Sequence, residues 1–179
     1  NVLQWTGWGA VSSMHSEDEI FQYFQDHWTD EGGLMEYGWD WWFDGTNNTA
    51  GWSGWSDVDV PGGGFYPDET FSDYYHEQNS DSQAMAAVSQ YISAGYGTTL
   101  AVYGPGGHAI TCWGYNVDAN TGDYLGVWVT DSDDDKYTSG YPDSLRYYDV
   151  SESGGKWYLQ DFYGVDTWYL SQYDTIRNP

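Results

Sequence analysis

Met85-Ala86-Ala87-Val88-Ser89-Gln90-Tyr91-Ile92-Ser93-Ala94-Gly95-Tyr96-Gly97-Thr98-Thr99-Leu100-Ala101-Val102-Tyr103 is the stretch on which the fold turns. Up to Ser93 the apolar side chains recur at helical spacing, with Met85, Val88, Tyr91 and Ile92 along one face. Ser80 followed three residues later by Gln83 reads as a capping box, and Gly95 as the stop, so a helix is expected over about 81–93. Beyond Gly97 the period changes. Residues 98–103, 108–115, 124–130, 145–150, 157–160 and 167–170 are rich in β-branched and aromatic side chains and are separated by Gly, Asp and Pro clusters, which predicts strands.

Upstream of that change the pattern is helical. Ser16 and Glu19 form a second capping-box pair ahead of a helix over 17–28, whose first turn carries Glu17 and Asp18 at the positive end of the dipole. Ile20, Phe21, Phe24 and Trp28 are expected on its apolar face. Gly32-Gly33 separates a further helix over 34–43, and Asn1-Val2-Leu3-Gln4-Trp5 reads as the tail of a helix stopped at Gly7. Residues 44–70 are loop by composition, and their Trp52, Trp55, Phe65 and Tyr66 predict a packed loop with a role in function. Helices followed by an antiparallel set of strands indicate one α+β domain over 1–179, with N-terminal helices packed on a twisted antiparallel sheet.

Charge narrows the partners. The chain carries 28 acidic against 4 basic side chains, a formal net charge of -24, and such a field repels phosphate backbones and anionic headgroups. Nucleic acid and membrane surfaces are therefore excluded as expected partners, and no apolar run reaches the roughly 20 residues that span a bilayer. High charge with a mean hydropathy of -0.68 would suit a disordered chain. The 12 Trp, 18 Tyr and 6 Phe decide against that, because each buries a large area. Self-repulsion among the carboxylates predicts a melting temperature that rises between low and moderate salt; a salt-independent value would refute it.

The chemistry-bearing segment is Gly106-Gly107-His108-Ala109-Ile110-Thr111-Cys112-Trp113-Gly114-Tyr115, followed by Val127-Trp128-Val129-Thr130-Asp131-Ser132-Asp133. Asp118-Ala119-Asn120-Thr121-Gly122-Asp123 between them is a strong hairpin signal. A hairpin places the start of one strand beside the end of the next, so His108 and Asp131 are expected at the same sheet edge. A carboxylate there would orient the imidazole and stabilise its protonated form, as general-base or thiolate-pair chemistry requires. Spacing alone favours a strand histidine satisfied by a turn aspartate.

From Gly107 to Asp133 this pattern resembles the IdeS/Mac family of secreted bacterial cysteine peptidases, which have a papain-like fold and are best known for cleaving immunoglobulin G. Its members share a His-hydrophobic-Ile-x-x-Trp-Gly strand and a Val-Thr-Asp-Ser-Asp strand end. The resemblance implies a papain-like α+β fold, His108 as catalytic base, Asp131 as the orienting carboxylate and Asp133 as a supporting one. It implies a protein substrate, no cofactor and an exported, extracellular setting. Asn1-Val2-Leu3-Gln4-Trp5 is similar to the family's segment downstream of its nucleophile, so the catalytic Cys is expected about two helical turns upstream of Asn1, in an N-terminal segment or separate chain.

Cys112 is a poor substitute: four residues from His108 on one strand, its Cα lies roughly 13 Å away. It is expected to be a buried, inert thiol. His15, His27 and His76, placed before a helix cap, in a helix end and in an acidic turn, share no metal-ligand spacing, so zinc is not expected. Asp134 and Asp135 read as solvated surface, with calcium on the acidic run a lesser alternative. The aromatic excess also allows a non-catalytic glycan- or protein-binding module, although Trp39, Trp41, Trp42, Trp52 and Trp55 read mainly as core and loop anchors.

Overall fold

The computed structural model describes residues 1–11, 14, 16–28, 33–45, 62–131 and 144–179. Among them the chain is α+β, with helices α1 (Val2–Thr6), α2 (Glu17–His27), α3 (Met35–Asp44) and α4 (Ala84–Ser93). The strands are β1 (Tyr75–Asn79), β2 (Gly97–Tyr103), β3 (Gly107–Val117), β4 (Tyr124–Thr130), β5 (Arg146–Ser153), β6 (Lys156–Leu159) and β7 (Tyr169–Ile176). None of the described helices is long and apolar enough to cross a membrane. The residues fall into two compact units, Asn1–His76 with Ile176–Pro179, and Glu77–Thr175.

The first unit is built around aromatic rings. Gly7 stops α1 in the left-handed conformation at φ 93°, as its position suggested. Ser16 and Glu19 form the reciprocal capping box at the start of α2. Phe21 departs from expectation: it is 60% exposed, while Tyr23, Phe24 and Trp28 pack inward with Ile20. Trp39, Trp41, Trp42 and Phe43 of α3 are buried, so these tryptophans are core anchors. Trp8 sits edge-on to Tyr66 and Tyr74 at centroid separations of 4.7 and 4.8 Å, and its indole N–H donates to the Arg177 carbonyl at 2.7 Å. The described end of the long loop packs as expected. Its Gly64, Phe65 and Tyr66 amides donate to the Trp41, Trp42 and Phe43 carbonyls, satisfying the last turn of α3. Trp52 and Trp55 lie outside the described residues.

The second unit holds the sheet, in the order β1-β7-β2-β3-β4-β5-β6, with β6 paired again to β7. The sheet is antiparallel, as expected, and it closes on itself. Tyr158 of β6 faces Tyr169 of β7, and the Leu159 amide donates to the Trp168 carbonyl at 3.0 Å. Register shifts on β3 between Cys112 and Gly114 and between Asn116 and Val117 supply the coiling that closure needs. Leu100, Val102, Ile110, Val127, Val129, Leu159, Phe162 and Leu170 fill the interior, joined by Ala84, Met85 and Val88 of α4. That helix starts later than the pattern implied. Asp81, rather than Ser80, accepts the Gln83 amide, so no capping box forms there. β1 was not expected at all: Tyr-His-Glu-Gln-Asn has no apolar alternation, and His76 lies in it rather than in a turn.

Candidate active site

The hairpin joining β3 to β4 is the device that builds the site. The Asp118 carboxylate accepts the Asn120 and Thr121 amides at 2.7 and 3.1 Å, and these backbone bonds hold its pKa below the usual value. Gly122, at φ 78°, donates to the Asp118 carbonyl. The turn, together with the two register shifts on β3, sets the register Thr111↔Thr130 and Cys112↔Val129. One further step along that register sets Asp131 opposite Ile110, so His108 and Asp131 are diagonal neighbours on the barrel's inner face. Diagonal pairs lie within reach of long side chains.

His108 Nε2 and Asp131 Oδ1 are 2.6 Å apart, and their side chains are 18% and 3% exposed. Outside the barrel, Trp113 Nε1 donates to Thr130 Oγ1 at 2.9 Å, which pins the end of β4 immediately before the aspartate. The two residues singled out from the sequence are therefore brought together. Asp133, Asp134, Asp135 and His15 lie outside the described residues. His27 stacks on Tyr23 at 4.1 Å in α2.

One residue of the site was not foreseen. The Tyr163 hydroxyl donates to Asp131 Oδ2 at 2.6 Å, so the carboxylate is held at both oxygens. Tyr163 lies in the β6–β7 connection, where Asp161 and Tyr163 take φ 57° and 53°. Each such non-glycine left-handed residue costs about 1 kcal/mol. The turn is secured by an Asp161 amide bond to Asp166 at 2.7 Å and by Phe162, which is wholly buried in the barrel. Asp161, Gly164 and Asp166 were legible as turn residues, but nothing in the spacing aims Tyr163 at Asp131. Trp168 packs beside Tyr163 and Phe162, at 5.8 and 5.5 Å, and lies against Gly104, where a side chain would collide with its indole.

Cys112 points into the same core as Ile110, is 4% exposed, and its thiol is pushed up to about 12 by burial. At pH 8 it is held in the thiol form. In the folded chain Cys112 should therefore resist iodoacetamide at pH 8 and react on denaturation; rapid native labelling would contradict this burial.

Neither a comparison with protein-family models nor one with the curated proteins finds a match to this chain.

Proposed function

We propose that this chain is the His- and Asp-bearing part of a cysteine endopeptidase with a papain-like fold, acting on a protein substrate outside the cell. The observation that carries the reading is the Nε2–Oδ1 bond between His108 and the buried Asp131. Three further features support it: a closed antiparallel sheet presenting the imidazole at the start of a strand, the family-like motif around it, and the strong acidity suited to export.

With Nε2 donating to an ionised Asp131, the neutral imidazole carries its acceptor lone pair on Nδ1. Nδ1 takes the proton of a cysteine thiol supplied upstream of Asn1. The thiolate attacks the scissile carbonyl carbon, and backbone amides near that cysteine stabilise the oxyanion. The imidazolium returns its proton to the leaving amine as the C–N bond breaks, and water then hydrolyses the thioester by the reverse relay. Asp131 fixes the tautomer throughout, and the resemblance assigns Asp133 a supporting role. Immunoglobulin is the substrate suggested by the resemblance.

A second reading, glycan binding without catalysis, is favoured by a different surface. On the outer face of β3, β4 and β5, Trp128 and Tyr147 lie 5.0 Å apart, and Trp128 Nε1 donates to Asn116 Oδ1 at 3.3 Å. Gly126 lies beneath the Tyr147 ring, where any side chain would collide. The exposed Trp128 ring beside the half-buried Tyr147, with a polar rim, suits a neutral pyranose. The experiment that separates the readings is cleavage of a protein substrate by the full-length protein before and after iodoacetamide, beside a glycan array. Thiol-dependent cleavage supports the peptidase. Glycan binding that survives His108→Ala, without any cleavage, supports the module.

A further inference from the structure

We propose that Tyr163 is a positioning residue for His108: by donating its hydroxyl to Oδ2 of Asp131 it holds Oδ1 on the imidazole and draws off part of the carboxylate's charge. Both bonds to the aspartate are 2.6 Å, and its side chain is 3% exposed, so protein donors rather than bulk water solvate the anion. Tyr163 keeps an unfavourable φ of 53° while its neighbour Phe162 is fully buried, so the loop is held where the hydroxyl can reach the carboxylate.

The consequence for protonation has a definite sign. A donor on Oδ2 stabilises the anion most when the imidazole is neutral, and less once an imidazolium neutralises it. The hydroxyl thus favours the deprotonated pair and keeps His108 competent as a base at neutral pH. β2 pairs Val102 with His108, and Tyr103 with Gly107. The loop's Asp161 and Asp166 are bound to one another through the Asp161 amide. The acidic run after Asp131 lies outside the described residues. The role in catalysis rests on the peptidase reading; the effect on the imidazole does not.

The test is an NMR titration of the four histidines in this chain and in its Tyr163→Phe variant. The variant keeps the ring and removes the donor. Expected is a rise in the His108 midpoint of half to one unit, about three- to tenfold in proton affinity, with the other histidines unmoved. Incorporating 3-fluorotyrosine at position 163, a stronger donor, should lower the midpoint, and this arm remains decisive if Tyr163→Phe fails to fold. An unchanged or oppositely shifted midpoint in either arm overturns the proposal. In the full-length protein the limb of the pH–rate profile belonging to the imidazole should move to higher pH in Tyr163→Phe, with KM little changed. If the midpoint moves while no peptide bond is ever cleaved, the peptidase reading fails and the role of Tyr163 stands.

Discussion

In the full-length protein, His108→Ala should lower kcat/KM on a protein substrate by at least about 10³-fold. The size follows from what the imidazole does. It generates the nucleophile and then protonates the leaving amine, and no second titratable group on the described strand face replaces it: Ile110 is apolar and Cys112 is a buried thiol held protonated. The fold should survive. Asp131 would lose its bond to His108 but keep the Tyr163 hydroxyl at 2.6 Å, and leaving a buried acceptor partly unpaired costs about 1–3 kcal/mol. That is well below the usual 5–15 kcal/mol of a domain. Activity and thermal unfolding measured on the same preparation therefore separate the two effects. Substantial proteolysis remaining in a folded His108→Ala protein would rule out the assigned base. Loss of activity together with the fold would call for His108→Gln, which keeps a polar side chain but not the proton relay.

The candidate site was legible in the sequence to the extent that it is local. His108 and Asp131 lie on adjacent strands joined by one short hairpin, Asp118 to Asp123, and turn chemistry is written in neighbouring residues, although two register shifts on β3 lie between the turn and the site. Tyr163 reaches the same carboxylate through the closure of the sheet, and closure depends on bulges and on the pairing of β6 with β7. Neither leaves a periodic trace. The same distinction explains the errors in the fold. β7 was expected to end near Leu170, but it continues to Ile176 through Asp174 and Thr175, which are buried polar residues that a pattern of alternating hydrophobicity cannot register. Phe21 was assigned inward because it is apolar, yet the buried face of α2 is completed by Tyr23, whose hydroxyl accepts the Gly63 amide at 3.2 Å. An aromatic with a polar tip serves that position better than phenylalanine.

The largest loss of stability is expected from Trp42→Ala, and the reasons can be separated. Trp42 is fully buried, stacks almost parallel on Phe24 at 5.3 Å and meets Tyr23 and Phe65 at 5.8 and 4.6 Å. Removing the indole opens a cavity among rings that are themselves interlocked, and so collapse poorly. Large-to-small changes of this kind cost about 3–5 kcal/mol. Its hydrogen bond matters less. Trp42 Nε1 donates to the Trp8 carbonyl at 2.9 Å, but the Tyr66 hydroxyl donates to the same oxygen at 2.8 Å, so that acceptor stays satisfied without the indole. Trp42→Phe, which loses the donor and keeps most of the ring, should therefore cost less than half as much as Trp42→Ala. For a chain of this length the alanine variant corresponds to a fall in melting temperature on the order of 10 °C. Urea unfolding followed by near-ultraviolet circular dichroism measures both variants. Equal losses in Trp42→Phe and Trp42→Ala would mean that the hydrogen bond, and not the packing of the aromatic cluster, holds the first unit together.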